Sequence, residues 1–281
     1  MATQTRPCPV CQIPANFTYH HPDADLYRCG GCDHCFSDAT SLRRKETYAA
    51  DYYEVVHPNW FRHPHTDMFT MMHYMIQRES PGARSVLDVG CGKGNFLRFL
   101  SQTGAYDSLT GNDLSPMTPF PSMKFMQGDF ISLKLPQHYD VVVSLAVIEH
   151  IGDVREFSSR LIDCCKPGGL ILVMTMNDRS VLYELTRFLH RINLYHAAFE
   201  RLYSSHHLNH FNNGSLQRLF QNSAVKQLQL NKHNAALGAL DIPGSSVLVR
   251  AICRLGVWGT LTLGSLAGKT FLQTILLRKL P

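Results

Sequence analysis

The sequence predicts an α/β protein with a doubly wound, seven-stranded sheet and a small cysteine-bearing module at its N-terminus. The first observation is the segment 86–97, where an apolar run meets a Gly-x-Gly-x-Gly turn and then a helical apolar pattern. The second is a series of further short apolar runs, typical of buried parallel strands. The third is a pair of Cys-x-x-Cys motifs near the N-terminus. We expect three parts: a module over residues 1–45, a helical connector over 46–84 and a sheet domain over 85–281.

Composition excludes several classes of protein. The chain has 281 residues and a formal net charge of +5, without a block of Lys and Arg, so nucleic-acid binding is not indicated. We expect no signal segment and no apolar run long enough to span a bilayer. Nine cysteines without an export signal favour a reducing compartment. We therefore expect a cytoplasmic protein, and the oligomeric state stays open.

The N-terminal cysteines have the spacing of a structural metal site. Cys8 and Cys11 form one Cys-x-x-Cys pair, and Cys29 and Cys32 form a second pair after 17 intervening residues. Two such pairs are typical of a tetrahedral zinc site in a ribbon, where the metal supplies much of the folding free energy. Cys35 is interpreted as a non-ligand, with its replacement of Cys32 as the alternative. Buried or redox-active thiols are the other interpretation.

The glycine turn predicts a ligand site at the start of a helix. Gly90, Gly92 and Gly94 allow the backbone to approach a ligand closely, and the helix N-terminus offers free N–H groups. The spacing matches neither a phosphate-binding loop nor the dinucleotide Gly-x-Gly-x-x-Gly. Asp88, just before the glycines, disfavours a pyrophosphate and suits an ammonium or hydroxyl group.

Polar residues also end or follow the second, third and fourth predicted strands. The second predicted strand, 108–113, ends at Asp113, about 20 residues past the turn, where an acid can accept both hydroxyls of a ribose. The third strand is followed by Gly128-Asp129-Phe130. The fourth, with four apolar or small residues in succession, is expected to be central and leads to Glu149-His150. A Lys-Pro-Gly-Gly turn then enters a fifth strand at 166–173.

These five motifs over residues 86–173 resemble those of the class I S-adenosylmethionine-dependent methyltransferases. The resemblance implies their Rossmann-like sheet, methyl transfer as the activity and S-adenosylmethionine as the cofactor. Within that family, the acid after the second strand binds the ribose, and the Asp of Gly-Asp-Phe accepts a hydrogen bond from the adenine amino group. The implied cofactor-binding residues are Asp88, Gly90, Cys91, Gly92, Gly94, Asp113, Leu114, Gly128, Asp129, Phe130, Ser144, Leu145 and Glu149.

The joining of a zinc ribbon to this core resembles bacterial methyltransferases that act on small molecules. The implied acceptor is a sugar, a polysaccharide or lipid precursor, or a secondary metabolite. An rRNA methyltransferase is the first alternative, disfavoured because no Asn-Pro-Pro-aromatic motif follows the fourth strand. A non-catalytic protein that keeps the cofactor fold is the second. A Rossmann dehydrogenase would require Gly-x-Gly-x-x-Gly.

An insertion over 178–222 is predicted to cap the edge of the sheet with helices, because its apolar residues recur at helical spacing. It contains His207 and His210, which together with His150 are candidate bases for a proton of the acceptor. Packed or surface histidines are the equally weighted alternative, and a metal site is the least favoured. Two connector tyrosines, Tyr52 and Tyr53, are candidates for a lid over the cofactor.

The last part of the chain is unusually apolar. We expect a sixth strand at Val225–Leu230 and a seventh near Phe271–Leu277. Segment 244–280 is expected to pack within the fold, with contact to a membrane or lipid-linked acceptor as the second interpretation and a dimer interface as the third. Four glycines between residues 256 and 268 argue against a long helix there.

Overall fold

The computed structural model describes residues 5–42, 58–63, 65–221, 224–242 and 246–281. The helices are α1 Pro58–Arg62, α2 Thr66–Glu79, α3 Asn95–Thr103, α4 Val154–Cys164, α5 Val181–Arg191, α6 Ala197–Leu202, α7 Asn213–Leu219 and α8 Val247–Ala267. The strands are β1 Thr5–Pro7, β2 Pro14–His20, β3 Asp25–Cys29, β4 Cys35–Ser37, β5 Ser85–Val89, β6 Ser108–Asp113, β7 Met123–Gln127, β8 Tyr139–Leu145, β9 Cys165–Met176, β10 Asn209–His210, β11 Val225–His233 and β12 Leu272–Lys279.

The predicted doubly wound sheet is confirmed. Seven strands lie in the order β11-β12-β9-β8-β5-β6-β7. The five strands of the predicted motifs run parallel, and β12 is inserted antiparallel between β9 and β11. The central strands are buried on both faces because helices cover them, which explains their continuous apolar sequence. The two predicted C-terminal strands are confirmed as β11 and β12, each extending two or three residues further than expected.

The N-terminal module forms a second, antiparallel sheet that the insertion completes. Its order is β1-β2-β3-β4-β10, and β10 belongs to the insertion. Asn209 is paired with Phe36 and His210 with Cys35, so the module and the cap share one sheet. Sequence patterns did not reveal this pairing, because β10 has only two residues. The boundary expected at residue 45 falls outside the described residues.

A buried carboxylate joins the module, the sheet and the cap. Asp178 follows β9 and is fully buried, and its carboxylate accepts hydrogen bonds from Arg28 of β3 at 2.8 Å and Arg187 of α5 at 2.9 Å. The Tyr203 hydroxyl also donates to it, at 2.5 Å. The two guanidinium groups hold the pKa of Asp178 below its usual value despite burial, which by itself would raise it. Asp178 is therefore charged and multiply bonded in the folded protein.

The C-terminal region differs from the expectation. α8 is a continuous helix of 21 residues despite its internal glycines. By length and composition it is long and apolar enough to cross a membrane, so the prediction that no such segment exists was wrong. The structure explains why residue 264 is glycine, because a Cβ there would lie 2.7 Å from the carbonyl oxygen of Lys269. Glycine at this position lets the helix end turn back closely toward β12.

We expect Asp178→Asn to lower the free energy of unfolding by about 3–5 kcal/mol, because the buried Arg187 guanidinium would lose its counter-charge and the partly buried Arg28 would lose the nearer of its two acidic partners. Urea unfolding followed by circular dichroism measures the change. Asp163→Asn, at an exposed position on α4, is the matched control and should change the value by less than about 0.5 kcal/mol. Equal effects of the two substitutions would show that the Asp178 cluster does not stabilise the fold.

Candidate functional site

A continuous cavity of about 740 Å³ lies at the carboxyl ends of β5, β6 and β8. The strand order changes direction between β5 and β8, and doubly wound sheets bind ligands at such a switch point. The connector, the strand ends, the insertion and the segment before α8 all contribute to its wall. Residues that sequence reasoning proposed and that line the cavity are Asp88, Gly90, Cys91, Asp113, Leu114, Gly128, Asp129, Phe130, Leu145, Glu149, His150 and His207.

The glycine turn adopts a conformation that requires glycine at its first position. Gly90 has a φ of +71°, and a Cβ there would lie 2.3 Å from Cγ2 of Val147. The amides of Gly90 and Cys91 both donate to the carbonyl oxygen of Asn112, at 2.8 and 3.0 Å. These bonds hold the turn against β6. The cavity wall is therefore bare backbone at this point, as a closely approaching ligand needs.

Two aspartates, Asp88 and Asp113, flank the turn and differ in their hydrogen bonding. Asp113 is oriented by backbone donors, since Gly92 donates to Oδ2 and Ser115 to Oδ1, both at 2.9 Å. Asp88 is buried, and its Oδ1 has no hydrogen-bond partner among the described residues. Burial, with a smaller contribution from Asp113, raises the pKa of Asp88 well above its usual value. A buried acceptor without a donor fits a ligand that brings a hydrogen-bond donor or a positive charge.

The other predicted cofactor-binding residues at this end either line the cavity or lie behind its wall. Asp129 is exposed at the rim, while Phe130 is buried edge-on against Phe157, with ring centroids 5.6 Å apart. Gly92, Gly94 and Ser144 are not among the lining residues. These three residues support the wall without lining it. Gly92 donates a hydrogen bond to Asp113, Gly94 is the N-cap of α3, and Ser144 is buried within β8.

Glu149 and His150 leave the end of β8 as predicted and enter the cavity wall. Burial raises the pKa of Glu149 to about 7, although the Thr175 hydroxyl donates to it at 2.8 Å. His150 is hydrogen-bonded through Nδ1 to the carbonyl oxygen of His206 at 2.5 Å, so Nδ1 carries the proton and Nε2 the lone pair. Burial lowers the pKa of His150 to about 4. At neutral pH it is an uncharged imidazole.

The three candidate histidines separate in the structure. His207 lines the cavity beside His150, with ring centroids 5.0 Å apart. His210 is buried behind them against Tyr203, at a centroid distance of 4.4 Å, and is not among the lining residues. Both residues of β10 are buried, and His210 is paired with Cys35 of β4, so the shared sheet holds His210 in the interior. The structure therefore does not bring His210 to the site with the other two.

The end of the cavity formed by the connector, the cap and α8 is mostly apolar, although Arg201 and Asp241 also line it, and sequence reasoning largely missed it. The cap helices contribute residues that were expected, but the connector, the turn before α8 and α8 itself also line it. The helical spacing of apolar residues in α2 and α8 was the available signal; it does not reveal which face meets the cavity. Tyr52 and Tyr53 lie outside the described residues. The apolar lining includes Trp60, Met68, Phe69, Leu182, Leu185, Leu189, Leu202, Leu240, Ile242, Ile252 and Val257.

The four predicted cysteine ligands come together. The sulfurs of Cys8, Cys11, Cys29 and Cys32 all lie within 4.8 Å of one another. The Cys8–Cys32 and Cys11–Cys29 pairs are 3.6 and 3.4 Å apart, close to the roughly 3.8 Å between sulfurs around a tetrahedral zinc with bonds of about 2.3 Å. Cys35 is not part of this group and is buried in β4 instead. The donor set and its geometry fit a zinc ion.

A doubly wound sheet with a glycine turn and an acid at adjacent strand ends defines the class of nucleoside-binding α/β proteins. Within that class, a family model described as a methyltransferase domain matches residues 60–224, more than half of the chain. The chain belongs to this methyltransferase family.

Curated relatives match about a third of the chain. Ubiquinone biosynthesis O-methyltransferase of Rickettsia akari is 32% identical over 108 residues, which are 36% of this chain and 43% of the relative. The 2-methyl-6-phytyl-1,4-hydroquinone methyltransferase of Synechocystis sp. is 33% identical over 109 residues, 35% of this chain and 34% of the relative. The match thus spans less than half the length of these relatives.

Solved structures extend the likeness to most of the chain. The plantazolicin methyltransferase BpumL in complex with a monoazolic desmethylPZN analog and SAH has a TM-score of 0.55 and 16% identity, covering 83% of this chain and 94% of that one. Its complex with a triazolic analog and SAH has a TM-score of 0.56 and the same identity. At this identity the likeness establishes the shared fold.

Proposed function

We propose that this protein transfers a methyl group from S-adenosylmethionine to a small, largely apolar acceptor. The observation that carries the proposal is one cavity with two chemically different ends. Asp88, Asp113 and Asp129 surround one end, and leucine and isoleucine side chains surround the other. The relatives named for ubiquinone and hydroquinone methylation support the same choice. Among the acceptors implied by the sequence, a lipid precursor or secondary metabolite therefore fits better than a sugar.

The polar end has the donors and acceptors that S-adenosylmethionine requires. Asp113, held by two backbone amides, would accept the ribose hydroxyls, and Asp129 the adenine amino group. Oδ1 of Asp88, which has no hydrogen-bond partner among the described residues, would accept a hydrogen bond from the ammonium group of the methionine part. When bound, S-adenosylmethionine supplies a methyl group that its sulfonium has already activated. The remaining task of the chain is to align the acceptor and exclude water.

The wall between the two ends carries the groups for proton transfer. His150 is neutral at physiological pH, with its ring fixed by the bond to the carbonyl oxygen of His206. His207 lies beside it on the cap. A neutral imidazole in this position would accept the proton of a hydroxyl or ammonium acceptor as the new bond forms. Acceptors that carry no such proton would need alignment alone.

We expect S-adenosylmethionine to bind the full chain, and Asp113→Ala to weaken binding about ten- to a hundredfold because hydrogen bonds to a charged group are lost. Gly90→Val should weaken it at least as much, since its side chain would collide with Val147. Isothermal titration calorimetry measures both. Asp107→Ala, at an exposed loop position before β6, is the matched control. Unchanged affinity in both site variants would refute the cofactor assignment.

We expect His150→Ala to lower methyl transfer to an alkylated catechol or hydroquinone by about a hundred- to ten-thousandfold while S-adenosylmethionine affinity stays nearly constant. Because burial lowers the pKa of His150 to about 4, the base form persists down to that pH. The rate should therefore fall only as the pH drops toward 4, as measured by SAH formation. An acid limb near pH 7 that disappears in Glu149→Gln would assign the role to Glu149 instead.

We further propose that Cys8, Cys11, Cys29 and Cys32 hold one structural zinc ion, as thiolates in a reducing cytoplasm. Their closed arrangement leaves no role in chemistry for the metal. Its effect on the site would be indirect, through the shared sheet. The Ser37 hydroxyl of β4 donates to the carbonyl oxygen of His207 at 3.2 Å, so the ribbon supports the cap near the cavity.

We expect elemental analysis to give about one zinc per chain. The double variant Cys8→Ser/Cys29→Ser should lose the metal, keep its affinity for S-adenosylmethionine and lose turnover, because the cap loses the support of β4. Cys35→Ser is the control and should retain the metal. Zinc-free wild-type protein with these thiols in disulfides would contradict the assignment.

A further inference from the structure

The N-terminal part of α8 presents an apolar stripe to the outside of the protein. Leu248, Leu255 and Trp258 are 70%, 67% and 55% exposed. At 100° per residue, Leu248 and Leu255 lie on one side of the helix, with Trp258 adjoining them. Thr260 and Leu261, which are buried, lie on the opposite side. The exposed stripe is thus a separate surface from the face that packs on the protein.

The cap continues this surface. α5 packs against α8, and the end of α5 and the loop after it expose Phe188, Ile192 and Leu194 by 55%, 51% and 69%. Contiguous exposed apolar surface of this kind is rare on proteins whose surfaces meet only water. We call these residues of α5, the following loop and α8 the apolar surface.

The apolar surface is continuous with the acceptor end of the cavity. Leu185, Tyr195 and Ile252 line the cavity and are also more than a third exposed. The cavity therefore opens between α5 and α8, at the edge of the apolar surface. An apolar molecule could pass from one to the other without crossing water.

The charges beside the apolar surface, and the way in which α8 is attached to the protein, indicate what kind of partner can cover this surface. Segments 185–196 and 246–267 contain no acidic residue, while Arg191, Arg250 and Arg254 are exposed within them. Exposed arginines beside apolar side chains complement an anionic lipid surface. The C-terminal part of α8 is fixed to the protein, since the Asn234 side chain donates to Leu261 and Ser265 at 2.9 Å. The helix also leads into β12, inside the sheet, so it would lie along a membrane rather than cross it.

We propose that the apolar surface docks on an anionic lipid bilayer and that the acceptor enters the cavity from that bilayer. Docking itself requires only the surface; the entry of an acceptor rests on the proposed function. The acceptor class is then an amphiphile with a methylatable head and a lipid-soluble tail. The head would reach the wall at His150, and the tail would remain between α5 and α8.

Flotation of the full, zinc-loaded chain with vesicles tests docking without cofactor or acceptor. We expect binding to vesicles of phosphatidylcholine mixed with phosphatidylglycerol, and weaker binding to phosphatidylcholine alone because the arginines lose their counter-charge. Leu248→Glu/Leu255→Glu should weaken binding at least about tenfold by placing charges in the apolar layer. Tyr74→Glu/Gln102→Glu, at exposed positions on α2 and α3, is the matched control.

Absence of wild-type binding to the anionic vesicles would overturn the proposal, as would equal binding by the α8 variant. Sedimentation that shows a dimer abolished by the same substitutions, without vesicle binding, would assign the apolar surface to a second copy of the chain. Calorimetry with S-adenosylmethionine on each variant keeps the two proposals separate. Vesicle binding without cofactor binding would support docking and refute the methyltransferase function.

Discussion

The buried carboxylate of Asp178 is the interaction on which the rest of the structure depends. It lies where β9 ends, and it binds one arginine from the N-terminal module and one from the cap. Asp178 and Arg187 are buried and Arg28 is partly buried. Burying charged groups is favourable only when each has its partners in place, so the cluster favours one arrangement of module, sheet and cap. That arrangement aligns β4 with β10 and so places the cap over the ends of β5 and β8.

The two ends of the resulting cavity differ in chemistry: one end has buried acidic groups, and the other has mostly apolar side chains. At one end, Oδ1 of the buried Asp88 has no donor among the described residues, and burial raises the pKa values of Asp88 and Glu149. Such groups favour a ligand that carries positive charge, because it would restore their ionised forms. At the other end, α5 and α8 contribute mostly apolar side chains to the lining, with Thr186 and Thr260 as polar exceptions, so burial there favours an apolar ligand surface.

The cap helices and α8 contribute to two different surfaces of the protein, the cavity wall and the exposed outer side. They line the cavity that also contains His150 and His207, yet they expose large apolar side chains on their outer side. The fixed C-terminal part of α8, with Gly264 against Lys269, allows the N-terminal part to extend away from the sheet. A second apolar environment, either lipid or protein, would remove the cost of that exposure.

The sequence alone predicted the doubly wound core, the glycine turn, the position of Asp113 at the end of the second strand of the core and the four-cysteine group. These depend on local periodicity and on short spacings, which the chain carries in consecutive residues. Tertiary structure decided which histidines meet the cavity, the joining of β10 to the N-terminal sheet and the exposed face of α8. His207 and His210 differ in role because β10 is paired with β4, more than 170 residues earlier. A contact between segments so far apart leaves no periodic signal in either segment, so only the folded chain reveals it.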